Sequence, residues 1–178
     1  MLPDIAAAVP TTAMTLADFT SPGLIIPRLH GHDVASVIQE LSQALQREKR
    51  VIDLLPFYHA ALNREFMVST DIEAGMAFPH ARLPALKELS FAFGRSDETL
   101  SWGPRSAWSV RLVFLMAVPA TDSTQYLLLI SGFARLTKEV RLVEKLHATQ
   151  DTFQILEVLQ QVELRTSSKP DSTKKALT

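Results

Sequence analysis

Residues 110–118 read Val-Arg-Leu-Val-Phe-Leu-Met-Ala-Val, nine positions with a single charge near the start. A strand with one wet face alternates apolar and polar side chains, and this run does not alternate. It suits a central β-strand buried on both faces, which then requires a covering layer on each side. It is also too short for a bilayer span, which takes about 18–20 apolar residues. Pro119-Ala120-Thr121-Asp122-Ser123 stops the strand and supplies helix N-cap residue types.

The covering layers are legible as helical periodicity. Val34, Val37, Ile38, Leu41 and Leu45 fall on one face of a helix over 33–46, with His32-Asp33 as its start. Phe57, Ala60 and Ala61 support a second helix over 51–64, interrupted or started late by Pro56. Helices are further expected over 127–138, 140–147 and 152–161, the last capped by Asp151. Strands are expected at 24–26, 76–80 and 89–94, with a turn at 94–97. Interleaved helices and strands give an α/β fold: a single domain with a mixed β-sheet flanked by helices on both faces. The domain is expected over 15–163, with a loose arm over 1–14 and a disordered tail over 164–178, where Ser, Thr and Lys dominate.

Charge and composition narrow the function. Lys plus Arg number 18 against 19 acidic residues, a formal net charge of −1, so the basic footprint of a nucleic-acid binder is missing. There is no cysteine, which removes disulfides, thiolate catalysis and Cys-based zinc sites. The first basic residue is Arg28, so no positive region of a signal peptide is expected, nor membrane insertion, and a cytoplasmic location is expected. No glycine-rich phosphate loop and no G-x-S-x-G elbow is present. His30-Gly31-His32 has only Asp33 as a nearby carboxylate, so no metal site is expected there, and His59 and His147 read as surface or capping residues.

The chemistry concentrates in 69–82, Ser-Thr-Asp-Ile-Glu-Ala-Gly-Met-Ala-Phe-Pro-His-Ala-Arg. A strand-like run ends at Pro79-His80, where proline removes an amide donor and aims the imidazole outward. A neutral imidazole is a nucleophile near pH 7, and a hydrogen bond to its other nitrogen selects the tautomer. Arg64 and Arg82 are the cations available for phosphoryl oxygens. Ser69 and Thr70 either contact the anion or only shape the turn, and Tyr126 is either a phosphate contact or core packing. Phe78, Leu83 and Trp102 either join a docking face around His80 or are buried.

Several of these segments in series resemble the enzyme IIA domain of the fructose/mannitol and nitrogen-regulatory type of the bacterial sugar phosphotransferase system. Leu62-Asn63-Arg64-Glu65 followed by Ser69-Thr70 is similar to the family's Leu-x-Arg-Glu…Ser-Thr entry, and Gly75-x-Ala77-x-Pro79-His80 to its active-site motif. Val118-Pro119 and Phe133-Ala134-Arg135-Leu136 resemble its later landmarks. The resemblance implies that His80 takes a phosphoryl group from an HPr-like phosphocarrier and passes it to enzyme IIB or regulates target proteins by it. It implies Arg64 as an active-site arginine and Ser69 and Thr70 as the hydroxyl pair, with no cofactor. The chain departs from the pattern twice: Ala81 stands where glycine usually follows the histidine, and Tyr126 stands where many members have a second histidine. The alternative is a regulatory binding module on the same fold with impaired transfer. A homodimer is left open.

Overall fold

Two hydrophobic clusters lie on opposite faces of one five-stranded sheet in the computed structural model, which describes residues 13–121 and 123–165. Short 3-10 turns at Leu16–Phe19 and Pro22–Leu24 lead into β1 (Ile25–Ile26). Then come helices α1 (Val34–Arg47) and α2 (Leu54–Met67), and strands β2 (Met76–Ala77), β3 (His80–Leu83), β4 (Ser90–Arg95) and β5 (Leu112–Pro119). Helices α3 (Thr124–Leu136), α4 (Val140–Ala148) and α5 (Thr152–Gln160) close the domain. The expected mixed sheet with helices on both faces is what forms.

β5 is the axis of the sheet, and all eight of its residues are buried. On one side it pairs antiparallel with β4, which carries the parallel edge strand β1. On the other side β2 and β3 both run parallel to it. Val113, Leu115 and Ala117 point into the cluster under α1 and α2, and Leu112, Phe114, Met116 and Val118 into the cluster under α3, α4 and α5. Burying a side chain the size of Leu or Phe contributes about 1.5–3 kcal/mol, so this strand anchors both layers. Phe91, Phe114 and Phe133 interlock there with ring centroids 4.9–5.9 Å apart.

The helix starts follow from capping. The Asp33 carboxylate accepts from the Ser36 amide at 2.8 Å, which with the Ser36 hydroxyl holds the Asp33 carboxyl below its ordinary range. Asp151 accepts from Gln154 at 2.9 Å. Such caps contribute about 1 kcal/mol each. Pro56 does not interrupt α2: it lies in the first turn, where the missing N–H has no partner to lose.

Four sequence expectations change. The turn expected at 94–97 begins only after Arg95, which ends β4 and is buried, its guanidinium donating to the carbonyls of His147 and Pro27 and to Asp97. The central strand begins at Leu112 rather than at residue 110. The strand expected over 76–80 is two pieces, with Phe78 and Pro79 between them. Leu164 packs in the core, and its amide donates to the Met14 carbonyl at 2.7 Å, so the described structure takes in two residues of each expected terminal segment, 13–14 and 164–165. The remainder of those segments, at 1–12 and 166–178, lies outside the described residues. No helix among the described residues is long and apolar enough to cross a membrane.

Candidate functional site

Pro79 explains the geometry around His80. With no N–H to give to β5, it interrupts the ladder, and pairing resumes through the Pro79 carbonyl, which accepts from Met116 at 2.9 Å. His80 therefore opens β3 instead of ending a strand, which corrects the sequence reading. The interruption leaves both backbone polar groups of Phe78 outside the two strands. The Phe78 N–H donates to Thr70 Oγ1 at 2.9 Å, and the Phe78 carbonyl lies 3.2 Å from His80 Nδ1.

A carbonyl only accepts, so in the neutral ring the proton sits on Nδ1 and Nε2 keeps its lone pair. His80 is half-buried, and that burial pushes its pKa below the ordinary histidine value; Arg64 and Arg82 push the same way, while the Phe78 carbonyl and Glu65 oppose them. The ring is thus neutral near pH 7, as a nucleophile requires.

Gly75 is needed where it stands. Its φ is +73°, a conformation that side chains strain to adopt, and its carbonyl accepts from the amides of both Arg111 and Leu112. A Cβ there would also lie 3.1 Å from the Ser109 carbonyl. The turn at Ile72–Gly75 sets the register in which β2 enters the sheet.

His80 and Arg82 share the β3 face that looks toward α3, following the two-residue period of a strand. The Arg82 guanidinium lies 5.0 Å from the centre of the Tyr126 ring, and the Tyr126 and His80 rings are 6.3 Å apart. Ala81 points the other way. It is 2% exposed and packs into the α1–α2 cluster, so the methyl that replaces glycine stays out of the site. Arg64, near the end of α2, donates to the Val68 carbonyl at 3.0 Å and lies close enough for its charge to act on His80.

The two hydroxyls are both engaged. Ser69 donates to Asp71, with Glu65 3.3 Å away, and Thr70 donates to Glu65 Oε2 at 2.8 Å. Glu65 is the residue that sequence reasoning quoted but gave no role. It is 3% exposed and accepts from the Thr70 amide at 2.7 Å, the Thr70 hydroxyl and the Trp102 indole at 2.8 Å. The signal was present as a Glu beside Arg64 on a helix, but its partners come from 5 and 37 residues away.

Of the three residues with an open fate, Trp102 is buried at 4% exposure, Leu83 is half-buried against the α1–α2 cluster, and Phe78 is half-buried with its ring 5.3 Å from Phe114. The exposed apolar side chains near the site are instead Phe66, Met67, Val68 and Leu127. Beside His80 an apolar cleft of about 370 Å³ is lined by Ile72, Phe78, Met116, Tyr126, Ile130 and Phe133. Ser123 holds the N-cap position of α3 without a side-chain cap bond. His30 finds a carboxylate absent from its neighbourhood in sequence, Glu40 at 3.0 Å from Nδ1. His147 is half-buried rather than a surface residue; burial and the Arg111 charge push its pKa down.

Comparison with known proteins matches residues 18–162 to the family model of "Phosphoenolpyruvate-dependent sugar phosphotransferase system, EIIA 2". A nitrogen regulatory protein from Bradyrhizobium diazoefficiens is 29% identical over 151 residues, covering 82% of this chain and 95% of that relative. Two longer curated relatives are matched over only 19% and 23% of their lengths. Among solved structures, nitrogen regulatory protein IIA-Ntr from Neisseria meningitidis superposes with a TM-score of 0.66 at 20% identity, covering 81% of this chain and 98% of that one. Enzyme IIA mannitol from Escherichia coli, solved in complex with phosphorylated enzyme IIB, superposes with a TM-score of 0.66 at 19% identity over 78% of this chain and 95% of that one.

Proposed function

The chain belongs to the EIIA 2 family of the phosphoenolpyruvate-dependent sugar phosphotransferase system, and on that premise we propose that it is a phosphoryl carrier working through His80 Nε2. One observation carries the assignment of the atom: Nδ1 is held on the Phe78 carbonyl, which leaves Nε2 as the free lone pair.

The donor is a phosphohistidine on an HPr-like carrier. The Nε2 lone pair forms a bond to phosphorus as the donor's N–P bond breaks, and that bond's electron pair stays with the donor ring, which leaves as neutral imidazole. His80 becomes a phosphorylated, Nδ1-protonated ring carrying positive charge. Its bond to the Phe78 carbonyl strengthens as that charge appears. Arg64 and Arg82 balance the charge on the equatorial oxygens, the main work of a protein in phosphoryl transfer. Tyr126, with a hydroxyl able to donate, stands beside both His80 and Arg82. Thr70 lines the same cleft beside His80 and Tyr126, with Ser69 directly before it in the chain. Leu127, 66% exposed one residue beyond Tyr126, gives a docking carrier apolar surface next to the reacting ring.

Nitrogen-type regulation of target proteins is the favoured output, because the Bradyrhizobium nitrogen regulatory protein is matched along nearly its whole length. The family description favours a second output, passage of the group to an enzyme IIB as in the mannitol system. Either output places the protein in the cytoplasm with its donor.

The test is intact-mass spectrometry at alkaline pH after incubation with enzyme I, its phosphocarrier and phosphoenolpyruvate. The wild type gains one phosphoryl group and His80→Ala gains none. A gain in His80→Ala, or none in the wild type beside a phosphorylated carrier, overturns the reading.

A further inference from the structure

The hydrogen bonds behind His80 run in one direction. The Glu65 carboxylate accepts the Thr70 hydroxyl proton at Oε2, 2.8 Å away. That fixes which way the hydroxyl points and leaves a Thr70 lone pair for the Phe78 N–H, 2.9 Å away. The same residue presents its carbonyl, in the next peptide unit, to His80 Nδ1 at 3.2 Å. Because Pro79 interrupts the strand ladder, Phe78 lies between β2 and β3, and among the described residues Thr70 is the one partner of its N–H. The N–H and the carbonyl of Phe78 belong to successive peptide planes joined at its Cα, and the proline that follows holds Phe78 to extended ψ, so anchoring the N–H restrains where the carbonyl points.

We propose that Glu65 and Thr70 are positioning residues that, through the backbone of Phe78, hold the His80 proton on Nδ1 and so reserve Nε2 for the phosphoryl group. Neither need touch the reacting atoms. Without the relay the Phe78 backbone loses the anchor on its N–H, its carbonyl is free to turn away from Nδ1, and the ring divides between its two neutral tautomers. Two features mark the relay as built. Glu65 is 3% exposed, a costly place for a carboxylate, and its other oxygen takes the Thr70 amide and the Trp102 indole, which orient it. Thr70 also spends its single proton on Glu65, which makes its role in the resting protein structural toward His80.

This inference rests on the phosphoryl-carrier reading for its purpose, yet its first readout needs no phosphorylation. Nitrogen-15 spectra of the imidazole at pH 8 report the ratio of Nδ1–H to Nε2–H tautomers in the resting protein. The wild type is expected to be predominantly Nδ1–H. Thr70→Val keeps the shape and removes the hydroxyl, and it should lower that ratio about five- to tenfold, the equivalent of one ordinary hydrogen bond. Phosphoryl acceptance should slow by a similar factor. Thr70→Ser restores both, and Glu65→Gln, which interrupts the relay from its other end, repeats the tautomer change should Thr70→Val not fold.

A folded Thr70→Val or Glu65→Gln protein with the wild-type tautomer ratio overturns the relay, even if acceptance slows, because Thr70 would then act on the phosphoryl group directly. If the wild type accepts no phosphoryl group at all, the functional reading fails, while the tautomer ratios still decide the relay.

Discussion

His80 sits between two unlike neighbourhoods. Toward α2 it is backed by Glu65, Thr70, the Phe78 peptide and Trp102, joined by hydrogen bonds of 2.7–2.9 Å around a carboxylate that is 3% exposed. Toward α3 it meets Tyr126, Arg82 and an apolar cleft, joined by ring and cation–π contacts of 5.0–6.3 Å, with Leu127 exposed at the rim. Hydrogen bonds have direction and a short reach, so the first side can fix a tautomer. Dispersion and cation–π contacts are tolerant of displacement, so the second can admit a phosphoryl group and a partner protein. The site is preset on one side and adaptable on the other.

The sharpest way to break this contrast is to truncate both sides. Glu65→Ala removes the acceptor of three donors and strands the Trp102 indole and the Thr70 amide in the interior. The expected loss is about 3 kcal/mol, read from urea unfolding. Leu127→Ala, at 66% exposure, should stay within about 0.5 kcal/mol of the wild type. Comparable losses at the two positions would mean that the α3 side is as constrained as the α2 side.

A smaller effect comes from pH. The pKa values of His80 and His147 are both depressed in the folded protein, in each case first by burial. An unfolded chain then binds protons that the folded one refuses, so stability is full above about 6.5 and falls as pH drops below it. The carboxyls of Asp33, Asp71 and Asp97 are depressed as well, and they cost stability only as pH falls below about 4, which separates the two ranges. The urea midpoint should fall from pH 7.5 to 5.5, and His80→Gln should remove about half of that fall. An unchanged fall in His80→Gln would place the titration elsewhere than between the two neighbourhoods.

The sheet and its covering helices were largely legible in sequence, and the hydrogen-bonded backing of His80 was not. The unbroken run through Leu112–Pro119 announced a strand buried on both faces, and periodic apolar positions in 33–46 announced the helix above it. These are local patterns with fixed periods. Pro79-His80 marked the candidate nucleophile, but the gap that proline opens was read as the end of a strand, because sequence does not show that pairing to β5 resumes at His80. Glu65 stayed silent for a related reason. A helical glutamate is ordinarily solvated, and what buries this one is a set of donors at Thr70 and Trp102 brought together only by the fold.

Tyr126→Phe probes the adaptable side most finely and should have the smallest effect. It keeps the ring that faces Arg82 and His80 and deletes only the hydroxyl, which makes no hydrogen bond among the described residues. Stability should therefore stay within about 0.5 kcal/mol of the wild type. Phosphoryl acceptance should slow about five- to tenfold, since a lost hydrogen bond to a charged oxygen costs somewhat more than one between neutral groups. The paired measurements separate the two roles of the residue. If Tyr126 serves only as packing for Arg82, the phenyl ring does that work equally well and the rate is unchanged. If its hydroxyl meets the incoming phosphoryl group, the rate falls while the fold does not notice, and the side of His80 without directional bonds at rest acquires one only in the phosphorylated state.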